Sequence, residues 1–157
     1  MSEDRFLDAF DKRILRIIQQ DATRPVADIA VQIGLSQTPC WNRLKQLAAS
    51  GVIKRRVALL NQDKLGLATT VMVSIQIGDH SRAELARFEG EVAAMDEVID
   101  FYRLAGDVDY CLRVVVSDVA AYDDFYRRLI GLIPLKSIVS RFALENIKST
   151  TALPIKD

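Results

Sequence analysis

Residues 34–47 read GLSQTPCWNRLKQL. A glycine that can end one helix is followed by a serine that can cap the next. Pro39 is tolerable there because it falls in the first turn. The spacing predicts a helix that turns Cys40, Trp41, Leu44, Leu47 and Ala48 inward and Thr38, Asn42, Lys45 and Gln46 outward, with Arg43 at the flank. Ser50-Gly51 stops it. Trp41, the single tryptophan of the chain, is read as core and Cys40 as a small buried hydrophobe.

Upstream, Val26, Ile29, Ala30 and Ile33 mark a shorter helix, with Pro25 at its first position. Before that, Leu7, Phe10, Ile14 and Ile17 recur at helical spacing. Three short helices, the last two joined through Gly34, predict a helix-turn-helix domain over residues 1–52. Residues 53–66 follow as a linker, with VIKRRVALL at 52–60 prone to form a strand or wing.

From residue 67 to 157 the period changes. Val71, Val73, Ile75 and Ile77 alternate with Thr70, Met72, Ser74 and Gln76. Ser81 and Glu84 form a capping-box pattern before Leu85, Phe88, Val92 and Met95. Two strands flank a turn at 105–109, where Gly106 supplies the backbone freedom. Asp118 caps a helix carrying Tyr122, Phe125, Tyr126, Leu129 and Ile133. A last alternation runs from Ile138 to Glu145. The order βαββαβ predicts a ferredoxin-like sandwich, so the fold class is α+β. Its helices cover one face of the sheet. Val114–Val116 is apolar on both sides, and a second copy of the sheet is the expected cover, giving a homodimer.

Half the residues are apolar and 27% are charged, an ordinary globular balance. No apolar run approaches the ~20 residues of a membrane span, and MSEDRFLDAF lacks the pattern of a secretory signal, so a cytoplasmic protein without membrane contact is expected. Two distant cysteines and one histidine give neither a disulfide framework nor a metal site, and no cofactor motif is present. Net charge is zero, yet it is unevenly spread. Through residue 62 there are ten bases and six acids, and between Asp28 and Asp63 there are five bases and no acid. Local positive charge is what binds phosphate.

These features point to double-stranded DNA. Ser36 caps the third helix, Gln37, Thr38, Asn42 and Arg43 occupy its N-terminal half, where polar side chains reach base edges or phosphates, and Lys45 adds charge on the outer arc. Lys54, Arg55 and Arg56 would grip phosphate beside the groove. The plain alternative makes Gln37 and Thr38 part of the cap and Arg43 and Lys45 solvated charges. Replacing Arg43 with Ala is expected to weaken DNA binding with little change in stability. Two other functions compete: a small dimeric ferredoxin-like enzyme, for which no nucleophile–base pair is evident, and an effector-binding module without DNA function, which the basic stretch at 43–56 opposes.

The chain resembles the Lrp/AsnC family of feast/famine transcriptional regulators. LDAFDKRIL at 7–15, DIAVQIGLSQTPCWNRLKQLAASGVI at 28–53, AGDVDY at 105–110 and IKSTTALPI at 147–155 carry the resemblance, in the family's order. It implies a winged helix-turn-helix joined by a β linker to a ligand-sensing RAM domain, and assembly of dimers into tetramers or octamers. It also implies an amino acid effector at the loop Gly106, Asp107, Val108 and Asp109, with Tyr102, Leu104 and Thr150 as further candidates. From composition alone that loop is an ordinary hairpin turn. TPCW, RRVALL and DFYRLAGDVDYCLRVVV are similar to a branch that includes a cysteine-responsive regulator, which implies a sulfur amino acid; other members sense branched-chain amino acids. Family members often carry two basic residues in mid recognition helix. Here the pair is Asn42-Arg43, a departure from the pattern on which carrying over a known operator would rest.

Overall fold

The computed structural model describes residues 7–156; residues 1–6 and 157, which the sequence assigns to the first and last domains, lie outside the described residues. The chain divides into two compact units. One runs to Leu59 and takes the chain back from Lys148, and the other is Leu60–Ile147.

Among the described residues the first unit holds three helices. α1 (Ala9–Ile18) starts at Asp8, whose carboxylate accepts the Asp11 backbone N–H at 2.8 Å. α2 (Val26–Ile33) starts behind Pro25, which stands at the cap rather than one position inside, and ends at Gly34 with φ 76°. That left-handed angle favours glycine, and it turns the chain sharply enough to start α3 (Gln37–Ala49) three residues later. Ile14, Leu15, Ile29, Ala30, Ile33, Cys40, Leu44 and Leu47 form one core between the three helices.

The end of the chain completes this core. Ile155 packs against it. Nε and Nη2 of Arg16 both donate to the Ile155 carbonyl, at 3.1 and 3.0 Å. Gln19 exchanges two hydrogen bonds with Leu153, at 3.1 and 2.9 Å. Sequence order keeps 148–157 with the sandwich, whereas these contacts group the stretch from Lys148 with the helices. The strand or wing expected within 52–60 is also absent: residues 54–61 carry no regular structure. A strand forms only against a neighbour, and in the single chain this run has none to pair with.

In the second unit a 3-10 turn (Asp63–Leu65) precedes β1 (Thr69–Ile77), α4 (Arg82–Ala93), β2 (Val98–Arg103), β3 (Tyr110–Val116), α5 (Val119–Ile130) and β4 (Leu135–Phe142). The sheet order is β2-β3-β1-β4, antiparallel throughout, which is the ferredoxin-like arrangement expected. Ser81 and Glu84 make the full capping box, and Asp118 accepts the Ala121 N–H at 2.9 Å. Val71, Val73, Ile75, Leu112 and Val114 face Phe88, Val92, Phe125 and Leu129 in a fully buried core. β4 ends at Phe142, short of the alternation read to Glu145, and Leu144 is fully exposed.

By register, the other sheet face carries Thr70, Met72, Ser74 and Gln76, with Cys111, Arg113 and Val115 beside them and Val139 and Arg141 beyond. It is mixed rather than apolar. Met72 and Val139 are exposed, but Arg113 pairs with Asp100 at 2.5 Å and Arg141 donates to Ser74 at 3.0 Å. Among the described residues no helix is long and apolar enough to cross a membrane, and no group of side chains could hold a metal ion.

Candidate nucleic-acid interface and effector loop

A helix advances 100° per residue, so residues three and four apart make up the share of α3 that turns to the core. Cys40, Leu44 and Leu47 take that share, with exposures of 0%, 3% and 0%. Thr38, Asn42 and Lys45 project from the opposite side, and all three are exposed, as are Ser36 and Gln37. Ser36 is the N-cap by backbone geometry, yet its side chain makes no capping hydrogen bond. The first-turn N–H groups of α3 thus have no side-chain cap, and they sit at the positive end of the helix dipole. No acid lies on α3.

Two residues are not where helical spacing puts them. Trp41 and Ala48 are exposed, Trp41 by 48%. One step past Cys40 rotates the indole off the buried stripe, where it walls an open cleft of about 420 Å³ with Val26, Gln37 and Thr38. Cys40 does behave as a buried hydrophobe. Burial pushes its thiol pKa up, with the Arg43 charge opposing weakly.

Arg43 is the larger correction. Its side chain is only 27% exposed and is held by two carboxylates rather than freely solvated. Its Nη1 donates to Asp8 at 2.6 Å and to Asp11 at 2.9 Å, and its guanidinium lies 5.4 Å from the Phe10 ring centre. Asp11 is 1% exposed. The Asp11 backbone N–H, followed by the Arg43 guanidinium, holds the Asp8 carboxyl below its usual range, and both carboxylates hold the Arg43 pKa up. The side chain pins α3 to α1. The acid-free interval from Asp28 to Asp63 hides this, because the acidic partners come from α1 and its N-cap. Lys45, Lys54, Arg55 and Arg56 differ: each is exposed and forms no ion pair among the described residues.

In the second unit, Gly106 adopts φ 149° at the tip of the β2–β3 turn. Leu104 N–H donates to the Asp109 carbonyl at 2.8 Å, and Asp109 N–H to the Ile75 carbonyl at 3.0 Å. Asp109 Oδ2 accepts the Ile77 N–H at 2.7 Å, so this carboxylate stitches the loop to β1. Gln76, which sequence patterns do not single out, donates its amide N–H to the Asp107 carbonyl. Asp107, Tyr102 and Leu104 are exposed and Val108 is half-buried. Thr150 lies with the helical unit, where its hydroxyl accepts the Ala152 N–H at 3.1 Å.

Residues 7–48 match the AsnC-type helix-turn-helix domain, and residues 70–153 match the Lrp/AsnC ligand binding domain. The chain is 44% identical over 151 residues to the DNA-binding transcriptional activator DecR of Escherichia coli K12, covering 96% of this chain and 99% of that one. A solved AsnC family transcriptional regulator from Agrobacterium tumefaciens superposes with a TM-score of 0.91 at 52% identity, over 94% of this chain and 96% of that one. The regulator NMB0573 of Neisseria meningitidis, solved as an L-Met complex, superposes with a TM-score of 0.90 at 29% identity, over 95% and 97%.

Proposed function

The chain belongs to the Lrp/AsnC family of transcriptional regulators and is not an enzyme, and from that premise we propose that it binds duplex DNA through the outer face of α3, with a small amino acid as effector. The observation that carries the DNA reading is the exposed, acid-free row Ser36, Gln37, Thr38, Asn42 and Lys45, continued by the exposed bases Lys54, Arg55 and Arg56. Polar side chains at a helix N-terminus suit base edges and phosphates, and the bases release counterions from the backbone. Arg43 positions this face by holding α3 on α1.

The working species is a homodimer, paired through the open sheet faces, with two α3 helices entering successive major grooves. Met72 and Val139 supply the exposed apolar part of that face, and Arg113–Asp100 and Arg141–Ser74 the polar part. Dimers assemble further into tetramers or octamers. Light scattering at micromolar concentration is expected to give a dimer or larger.

The effector is a small amino acid, with cysteine or a branched-chain amino acid as first candidates. It binds in the cytoplasm at the Gly106–Asp109 loop. Exposed Asp107 is the available carboxylate for its ammonium group, since Asp109 is engaged by Ile77. A relative solved as an L-Met complex supports an amino acid as the effector class. Binding biases the assembly between arrangements, which alters DNA affinity.

Anisotropy titration with the upstream region of its own gene tests the DNA reading: salt-sensitive binding is expected, and its absence would refute it. A thermal-shift screen of the twenty amino acids tests the effector, because a ligand of the native state raises the melting temperature. No shift with any of them would leave the loop an ordinary turn.

A further inference from the structure

We propose that Trp41 is a sequence-reading residue, whose indole forms the apolar wall of a cleft that takes the C5-methyl group of a thymine in the major groove. This rests on the DNA-binding reading above and deepens it.

Trp41 is half exposed, while the neighbours that do build the core, Cys40, Leu44 and Leu47, are sealed. The side chain therefore adds little to the folded core. Leaving so large an apolar surface in water forgoes about 25 cal/mol for each Å² that could have been buried. Exposure of this kind is informative where a binding face is already indicated.

The surroundings specify the occupant. Trp41 stands four residues after Gln37 and three after Thr38, so the three side chains share a surface. With Val26 they line an open cleft of about 420 Å³. Two walls are apolar and two carry hydrogen-bonding groups. Of the groups a base pair displays in the major groove, only the thymine methyl is apolar, and it adjoins the O4 acceptor. An indole and a valine fit the methyl. The Gln37 amide or the Thr38 hydroxyl fits the acceptor. The indole N–H makes no hydrogen bond among the described residues and can serve the same edge.

The test uses the full-length protein and a duplex footprinted from its own upstream region. As the chain has one tryptophan, its emission reports on this site alone. Emission is expected to change on saturation with DNA. Replacing thymines one at a time by deoxyuridine removes single methyl groups, and at one position per half-site it should weaken wild-type binding by about fourfold. Trp41→Ala should weaken binding by about tenfold and abolish the penalty at that position, while Trp41→Phe keeps part of it. Unchanged emission at saturation overturns the proposal, as does a flat deoxyuridine scan with wild type. Trp41→Ala binding as tightly as wild type with the same scan profile overturns it too. Loss of all wild-type binding would instead remove the DNA reading with it.

Discussion

Arg43 on α3 donates to Asp11 on α1 at 2.9 Å, joining a half-buried guanidinium to a carboxylate that is 1% exposed. This places Arg43 within the scaffold of the helix-turn-helix, and it reverses what its position in the recognition helix leads one to expect. Arg43→Ala should lower unfolding stability by about 2 kcal/mol, because it strips a charged partner from buried Asp11. Thermal or urea unfolding measures this. A variant that melts like wild type yet no longer binds DNA would return Arg43 to the duplex.

Asp8 adds a pH dependence to the same clamp. Its folded pKa lies below the ordinary value of 3.8, chiefly through the Asp11 N–H and then Arg43. A lowered carboxylate pKa stabilises the fold above the ordinary value, and that stability is lost as pH falls through the folded value. Stability of the helical unit should therefore decline below about pH 4. In Asp8→Asn the acid slope should be shallower. The half exposure of Asp8 keeps the effect small, and an acid titration followed by circular dichroism resolves it. Equal slopes for the two proteins would remove Asp8 from the account.

The returning chain end is a third point of leverage. Ile155 joins the core of the helical unit, and Arg16 and Gln19 hold the backbone around it. Ile155→Ala should destabilise that unit by about 1 kcal/mol, lower than for a sealed isoleucine because the side chain is partly exposed. Hydrogen exchange should show the loss in α1 and leave the sandwich strands unaffected. Faster exchange in β1 and β3 instead would contradict the assignment of this segment.

Gly106 is held at φ 149° with open space where a Cβ would go. Gly106→Ala should cost about 1 kcal/mol through backbone strain alone, with no clash to relieve. Asp109→Ala should cost a similar amount by releasing the Ile77 N–H. Denaturant unfolding of the two variants checks both; neutrality of Gly106→Ala would mean that the turn relaxes to another conformation.

Much of this was legible from residues close in sequence. The β1 alternation, the Ser81–Glu84 box and the Asp118 cap depend on neighbours within four positions, and each stands as expected. The misreadings share a different cause. Trp41 and Ala48 sit at the edge of the apolar arc of α3, where one 100° step separates core from solvent. Arg43 finds acids 32 and 35 residues away, and Ile155 finds Arg16 at 139. The run at 54–60 has strand composition but no strand beside it. Side-chain pattern records periodicity well; it does not record who stands opposite. In the site, exposure of Thr38, Asn42 and Lys45 follows from helical period, whereas the engagement of Asp109 by Ile77 needs the sheet register.

The central claim is that the outer face of α3 and the basic run after it bind duplex DNA. The slope of log affinity against log salt concentration tests it most directly, measured for wild type and for the triple variant Lys54→Ala, Arg55→Ala, Arg56→Ala. Three lost phosphate contacts should flatten the slope by about 2.7 per bound subunit. Binding by wild type that ignores salt, or the same slope for both proteins, would contradict the account.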